Sequence, residues 1–268
     1  MTARPLVSEA RHGDVAVLCL NDPTSMNAAS AAMVEALMIA LDKAEADCRA
    51  IVITGAGRAF CSGANLNSDV DFSAPHYDAG ALLATHYNPL MARLKSLPVP
   101  FLTAVNGPAA GGGAAIALAG DLVIASRAAF FLQPFVQIGL VPDSGSAFLL
   151  VHSAGRARAM EMMLLGERVA ADTAYAWGMV NRVVDPDDLL STALDLADRL
   201  AAGPTAVLGM IRALGWRAME TTHADMASLE RDMQRTAGRG ADHREGVAAF
   251  LEKRPAAFPR PDAKQAER

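Results

Sequence analysis

The sequence predicts an α/β fold in which short buried strands alternate with helices before a helical C-terminal region. The apolar run 15–20 has the character of a strand, and apolar positions within 30–47 recur at helical spacing. The β-branched run 51–54 ends in a glycine turn, so strand, helix and strand form one βαβ unit. A βαβ unit implies parallel strands, and the same alternation over 99–125 extends the sheet.

The remaining elements follow from periodicity and from turn residues. Gly13 marks a hairpin between 5–10 and 15–20, and a helix over 81–97 carries Pro89 as a kink. Further predicted elements are a strand at 179–184 and helices near 156–165, 170–177, 187–202, 205–219, 224–236 and 242–252. Gly203-Pro204 is the best boundary, which predicts an α/β core over 1–203 and a helical region over 204–268.

Composition excludes several classes of protein. The chain has 268 residues, 29 acidic and 24 basic side chains and a net charge of −5, which favours neither nucleic acid nor an anionic membrane as a partner. Its three cysteines, Cys19, Cys48 and Cys61, fit neither a disulfide framework nor a zinc site. We therefore expect a cytoplasmic protein.

An uncharged stretch of 25 residues, 96–120, is long enough to span a bilayer. Pro98, Pro100 and the triplet Gly111–Gly113 would break such a helix, and lipid offers no water to the freed backbone groups. The stretch is therefore predicted to lie inside the fold, with no membrane contact.

Common catalytic motifs are missing or incomplete. Gly55-Ala-Gly57 lacks the third glycine of a dinucleotide fingerprint, and neither Ser62 nor Ser144 has the flanking glycines of a nucleophile elbow. The six histidines show no metal-ligand spacing, so no metal site is predicted.

Two glycine turns place backbone N–H groups beside small residues: Cys61–Ala64, and Gly111–Gly113 at the start of a predicted helix. Donors at a helix N-terminus have no partner within the helix, and two donors that converge on one oxygen form an oxyanion hole. Close helix packing explains the glycine triplet equally well.

The turn Gly55-Ala-Gly-Arg-Ala-Phe-Cys-Ser-Gly-Ala-Asn-Leu66, followed by Ala104-Val-Asn-Gly-Pro-Ala-Ala-Gly-Gly-Gly113, resembles the enoyl-CoA hydratase/isomerase (crotonase) superfamily. Segments 138–142, 155–160 and 250–254 extend the resemblance over nearly the whole chain. It implies a crotonase (ClpP-like) spiral of repeated ββα units with a C-terminal helical region. It also implies a homotrimer or a dimer of trimers that acts on acyl-CoA thioesters without metal or redox cofactor.

The resemblance also assigns site residues. The oxyanion donors fall on the backbone N–H groups of Ala64 and Gly112, and Lys253 corresponds to a lysine that meets CoA phosphate, often on a neighbouring subunit. The residues expected to bind the CoA ester are Met26, Ala28, Ala64, Asn65, Leu66 and Lys253.

Family hydratases hold water between two glutamates, and Ala115 and Phe135 stand at those positions here. Asp143 occupies a position where family isomerases carry a carboxylate, most closely those of phenylacetyl-CoA catabolism. The sequence also allows Asp143 to be a turn or helix-cap residue. Apolar neighbours would raise its pKa and favour an acid/base role. The prediction is an enoyl-CoA isomerase that moves a double bond or opens a ring epoxide.

Three alternatives remain. In a hydratase, Asp143 alone or with Asp69 and Asp71 would activate water. A non-catalytic family member would bind acyl-CoA without turnover. In a dehalogenase-like enzyme, Asp143 would act as a nucleophile and form a covalent adduct.

Overall fold

A six-stranded sheet and a three-stranded sheet form the strand layers of the protein. The structure is a computed structural model, and it describes residues 4–65 and 76–259. In chain order the strands are β1 (Val7–His12), β2 (Val15–Leu20), β3 (Ala50–Gly55), β4 (Phe101–Val105), β5 (Ala109–Ala110), β6 (Leu122–Ser126), β7 (Phe130–Leu132), β8 (Val169–Ala170) and β9 (Arg182–Val184). The large sheet has the order β1-β2-β3-β4-β6-β9. Only β1 and β2 pair antiparallel in it, so the predicted hairpin and the predicted parallel sheet are confirmed.

Helices cover the large sheet and build the C-terminal region. They are α1 (Ala31–Asp47), α2 (Asn88–Ser96), α3 (Gly112–Leu118), α4 (Ser146–Ala154), α5 (Arg156–Leu165), α6 (Ala171–Ala176), α7 (Leu189–Ala201), α8 (Thr205–Ala218), α9 (His223–Gly238) and α10 (Ala241–Glu252). Short 3₁₀ turns lie at Pro23–Ser25, Pro134–Ile138 and Pro186–Asp188. The predicted helices are confirmed to within a few residues, and α4 is an additional helix that the sequence pattern did not indicate.

The small sheet has the order β5-β7-β8 and holds the two glycine turns together. Ala109 of β5 pairs with Phe131 of β7, and on its other side Ala109 forms a parallel bridge with Cys61. These strands are only two or three residues long, and so they leave no periodicity to read in the sequence. Their effect is to align the turn after Phe60 with the start of α3.

The central strands β3 and β4 of the large sheet are buried on both faces. Ile51, Ile53 and Phe101 pack on one side with α1 and α3, and Val52 and Leu102 pack on the other side with α7. Burial on both sides explains why these strands are continuously apolar rather than alternating.

The uncharged stretch 96–120 contributes β4 and α3, whose residues are all buried within the protein. Across residues 4–65 and 76–259, the structure contains no helix with both the length and the apolar character needed to cross a membrane.

One irregular helical turn corrects a prediction. The sequence places a kink at Pro89, whereas the structure forms a π-turn over Leu83–Tyr87 directly before α2. In this turn the N–H of Asn88 donates to the carbonyl of Leu83, five residues back. Proline has no N–H, and inside an α-helix its ring conflicts with the carbonyl four residues earlier. The wider π-turn relieves this conflict directly before Pro89.

Helix α8 is fixed to the core by a buried arginine. Arg212 is 6% exposed, and its guanidinium donates to the carboxylate of Asp121 and to the carbonyls of Leu94 and Leu97. Arg49 holds the chain before α8, with its Nε 2.8 Å from Oγ1 of Thr205. Division of the chain into 1–203 and 204–268 stays a prediction.

Candidate active site

A cavity of about 880 Å³ lies where the two glycine turns meet. Its walls come from five segments: 30–32, 64–65, 76–87, 111–112 and 134–143. Most of these side chains are apolar, and Asp78 and Asp143 are the carboxylates among the described residues of the lining. A large apolar cavity with a few polar groups is the usual form of a small-molecule site.

The first wall is the turn before α3. Gly111 caps this helix with φ 53° and ψ −125°, a conformation that favours glycine, and its N–H donates to the carbonyl of Leu132 at 2.9 Å. The next N–H group, that of Gly112, has no hydrogen-bond acceptor within residues 4–65 and 76–259. Gly112 lines the cavity, so its N–H is a candidate donor to a ligand there.

The second wall is the turn Cys61–Ala64. The carbonyl of Cys61 accepts from the N–H of Ala110 at 2.9 Å, and the carbonyl of Gly63 accepts from the N–H of Ala29 at 2.8 Å. These bonds, together with φ 84° at Gly63, orient the peptide that follows. The N–H of Ala64 finds no acceptor in the part of the chain that the structure describes, and Ala64 lines the cavity.

The two turns pack at backbone distance. A Cβ atom built on Gly113 would lie 2.3 Å from the carbonyl oxygen of Cys61, and one built on Gly63 would lie 2.7 Å from that of Ala110. The same Gly63 Cβ would be 3.6 Å from the nitrogen of Gly112. Close packing therefore explains Gly113, and it also brings the turn that carries Ala64 beside the amide of Gly112.

Asp143 lies opposite Gly112. A Cβ atom built on Gly112 would be 3.8 Å from Oδ1 of Asp143. The half-buried carboxylate accepts a hydrogen bond from the hydroxyl of Ser144 at 2.9 Å. Burial raises the pKa of Asp143, and the Ser144 hydrogen bond opposes this by stabilising the charged form.

The carboxylate of Asp143 does not cap a helix. The N-cap of α4 is Gly145, without a side-chain cap, and the N–H of Ser146 donates to the main-chain carbonyl of Asp143 at 2.8 Å. Of the two interpretations open from the sequence, the geometry agrees with a side chain directed to the cavity. Its role in chemistry stays a prediction.

Two aromatic rings flank this position. Phe135 lines the cavity, and its Cζ would be 3.3 Å from a Cβ on Gly111. Tyr87 is buried, and its hydroxyl donates to the carbonyl of Ala29. Burial raises the pKa of Tyr87, and the nearby charge of Asp143 adds to this. The tyrosine is therefore a neutral hydrogen-bond donor.

The predicted site residues separate into three groups. Ala64, Asn65, Gly112 and Asp143 line one cavity, as the sequence indicated. Ala28 is buried in the chain before α1, Met26 follows the first 3₁₀ turn with φ 57°, and Lys253 is exposed after α10, so these three do not line the cavity of their own chain. Leu66, Asp69 and Asp71 lie outside the described residues.

Three residues near the site were not predicted in these roles. Tyr87 lies in the predicted helix 81–97, and Asp78 lies before that helix, where it accepts from the N–H of Gly80 at 2.8 Å at the exposed rim. Asn27 is fully buried and donates to the carbonyls of Ala56 and Ala59, which fixes the loop before α1. A single tyrosine or asparagine in a sequence does not indicate that its side chain will hydrogen-bond to a distant segment of the chain.

Comparison with known proteins identifies the family. A family model described as enoyl-CoA hydratase/isomerase matches residues 10–261. The chain belongs to the enoyl-CoA hydratase/isomerase family. It is 47% identical over 247 residues to 1,2-epoxyphenylacetyl-CoA isomerase of Escherichia coli (strain K12). The aligned region covers 91% of this chain and 94% of that protein.

Other relatives of the family carry hydratase names. A protein of Rhodobacter capsulatus, "Probable enoyl-CoA hydratase", is 42% identical over 91% of this chain and 94% of its own length. The crystal structure of an enoyl-CoA hydratase from Polaromonas sp. JS666 superposes with a TM-score of 0.87 at 33% identity, covering 94% of this chain and 99% of that one. The crotonase fold and the predicted family are thereby confirmed, and the protein is an enzyme of the hydratase/isomerase type.

Proposed function

We propose that this member of the enoyl-CoA hydratase/isomerase family is an acyl-CoA isomerase with Asp143 as its acid/base. One observation carries the proposal: the amides of Ala64 and Gly112, which have no acceptor among residues 4–65 and 76–259, belong to residues that line the same cavity as a half-buried carboxylate of raised pKa. Amide donors that converge on a thioester oxygen stabilise the negative charge that forms there when the α-carbon loses a proton. A carboxylate with a raised pKa is suited to take that proton.

The proposed reaction is a 1,3-proton shift. The carboxylate of Asp143 removes the α-proton of a 3-enoyl thioester, and the C–H electron pair forms a dienolate whose oxygen lies at the amides of Ala64 and Gly112. The carboxyl group of Asp143, which exchanges its hydrogen with solvent while the dienolate is bound, then gives a proton to the γ-carbon, and the double bond moves from β,γ to α,β. No electrons are gained or lost, so the reaction needs no cofactor beyond the CoA of the substrate.

The same electron flow opens an epoxide. When the β-carbon of the thioester carries an epoxide oxygen, removal of the α-proton by Asp143 forms the α,β double bond as the β-C–O bond breaks. The oxygen leaves as an alkoxide and takes the proton from Asp143. The name of the E. coli relative, 1,2-epoxyphenylacetyl-CoA isomerase, supports a substrate of this kind. The largely apolar cavity, which Phe135 and Tyr87 line together with Asp143, is compatible with a cyclic or aryl acyl group.

Hydration is the second candidate. The hydratase names of other relatives and the second carboxylate in the cavity, Asp78, favour it. Asp78 lies at the exposed rim with one oxygen bonded to Gly80 N–H, whereas Asp143 lies beside Gly112. The position of Asp143 supports the isomerase more strongly.

The test is an assay of purified protein with matched 2-enoyl-CoA and 3-enoyl-CoA in D₂O, following deuterium at the α- and γ-carbons. We expect bond migration with label at both carbons and loss of turnover in Asp143→Asn. The matched control is Asp195→Asn, an exposed change on α7. Rapid hydration without migration would contradict the isomerase.

Two further outcomes identify the remaining alternatives. Binding of CoA esters by the protein without turnover of any of them would indicate a non-catalytic family member. A covalent adduct on Asp143 in a mass spectrum would indicate a nucleophile.

We further propose that Met26, Ala28, Asn65, Leu66 and Lys253 contact the CoA portion. Lys253 is exposed after α10 and does not line the cavity of its own chain, which supports a contact with CoA phosphate on a neighbouring subunit of a homotrimer or a dimer of trimers. Sedimentation of the protein together with CoA-ester affinity of Lys253→Ala tests this arrangement. A monomer with unchanged affinity would contradict it. A cytoplasmic location stays a prediction.

A further inference from the structure

Tyr87 is linked to both halves of the proposed oxyanion site, directly at Gly112 and through Ala29 at the turn before Ala64. Its ring lies against α3, since a Cβ built on Gly112 would be 3.8 Å from Cδ1 of Tyr87. Its hydroxyl donates to the carbonyl of Ala29. The N–H of the same Ala29 donates to the carbonyl of Gly63 at 2.8 Å, directly before the amide of Ala64.

The chain of contacts therefore runs from Gly112 through Tyr87 and Ala29 to Ala64. Tyr87 is 6% exposed and Ala29 is 1% exposed, so water does not compete for the hydroxyl–carbonyl bond. Two donors act together only if both point at one oxygen, and a displacement of about 1 Å costs on the order of 10²-fold in rate. A rigid link between the turns is thus a functional requirement.

Tyr87 is the last residue of the π-turn Leu83–Tyr87. Leu83 and Tyr87, at the two ends of this turn, both line the cavity. The turn is also tied to α1 on its outer side, where Nε2 of His86 lies 3.2 Å from Oε1 of Glu35. Both ends of the Tyr87 side chain therefore have fixed neighbours.

We propose that Tyr87 is a positioning residue that holds the amides of Ala64 and Gly112 in register through its hydrogen bond to Ala29. The proposal rests on the proposed function, since it assigns those amides to the thioester oxygen. The hydroxyl proton is engaged with the Ala29 carbonyl, and burial raises the pKa of Tyr87, so the residue takes no part in proton transfer.

The test uses Tyr87→Phe, which keeps the ring against Gly112 and removes only the hydroxyl. Cinnamoyl-CoA serves as the probe, because its absorption moves to longer wavelength when its carbonyl is polarised and it has no γ-proton to transfer. We expect the absorption of cinnamoyl-CoA to move clearly to longer wavelength on binding to the parent enzyme, and to move less on binding to Tyr87→Phe. We also expect the kcat of Tyr87→Phe with 3-enoyl-CoA to fall by about 10- to 100-fold. Its affinity for cinnamoyl-CoA should change less than about threefold, since donor alignment acts mainly on the transition state.

Tyr175→Phe is the matched control, because Tyr175 is 56% exposed on α6 and does not line the cavity. All proteins are compared at a temperature where circular dichroism shows each to be fully folded. Tyr87→Leu also removes the ring contact, so we expect its kcat to be lower than that of Tyr87→Phe.

The outcomes separate the two proposals. A parent enzyme that neither shifts the probe spectrum nor exchanges the α-proton would contradict the proposed function itself. A parent shift that Tyr87→Phe retains, with kcat unchanged, would overturn the positioning role alone. Loss of only the basic limb of the pH profile, with carbonyl polarisation intact, would mean that the hydroxyl transfers a proton, and would also overturn it.

Discussion

A methyl group on Gly112 would touch the carboxylate of Asp143, since the Cβ position of Gly112 lies 3.8 Å from Oδ1 of Asp143. The same position is 3.2 Å from Oγ of Ser144. The reacting α-carbon of the proposed substrate needs the space between the amide of Gly112 and that carboxylate. Glycine at residue 112 therefore matters through the space it leaves open rather than through its backbone angle.

Gly112→Ala is expected to lower kcat/KM on the order of 10²-fold while the protein remains folded. The added methyl displaces the substrate from Asp143, but helix α3 gains a better helix former, which offsets local crowding by about 0.5–1 kcal/mol. Steady-state kinetics and the thermal midpoint measure the two effects. The comparison is Gly113→Ala, whose Cβ would be 2.3 Å from the Cys61 carbonyl oxygen and should lower the midpoint sharply. Equal loss of stability in both variants would contradict this assignment.

Asp143 should control the acidic limb of the pH profile. Burial raises its pKa, and a base must be ionised, so kcat/KM falls with decreasing pH at a value above the ordinary ~3.9 of an aspartate. A profile of kcat/KM against pH measures this limb. A limb at the ordinary value would contradict a desolvated base.

The same shift predicts a stabilising substitution. A raised folded-state pKa means that the native protein retains the Asp143 proton at pH values where the unfolded chain has lost it. Stability is therefore lost as pH rises through this interval, and the ionised carboxylate destabilises the fold at neutral pH. Asp143→Asn should raise the melting temperature at pH 7, by ~2–4 °C for each kcal/mol relieved, and the difference should vanish below the ordinary pKa. A lower midpoint at pH 7 would show that Asp143 is structurally required.

Ser144 tunes the same carboxylate. Its hydroxyl donates to Oδ1 of Asp143 and lowers the pKa of the acid, so its removal should move the acidic limb of kcat/KM to higher pH. Ser144 has φ 52°, which a glycine adopts without strain. Ser144→Ala and Ser144→Gly should therefore shift the limb equally but differ in stability. An unchanged limb in both would mean that the hydroxyl does not act on the carboxylate.

Much of the site was predictable because its parts are local. The turn 61–64 and the glycine triplet are short segments whose glycines indicate a backbone role, and parallel strands bring such segments to one sheet edge. The assignment of Asp143 depends on the family resemblance. The strands 51–54 and 15–20 and helix 30–47 follow from periodicity, since burial of their apolar faces determines them.

The remainder depends on contacts between distant residues. Tyr87 and Ala29 are 58 residues apart, and nothing at either position indicates their hydrogen bond. Strands β5 and β8 have two residues each, too few for a period. Helix α4 begins after Gly145 without a side-chain cap, so its start lacks the usual signal.

The ion pair of Arg212 with Asp121 should be needed for docking of α8. Arg212 is buried, and its loss would leave the Asp121 carboxylate without its cation and the carbonyls of Leu94 and Leu97 without a donor. Breaking one partner of a buried pair costs about 3–5 kcal/mol, so Arg212→Leu should lower the free energy of unfolding by that order. Urea unfolding measures it, with exposed Arg235→Leu on α9 as the control. Because neither residue lines the cavity, kcat of the folded fraction should stay unchanged, and a selective loss of kcat at full stability would contradict a purely structural pair.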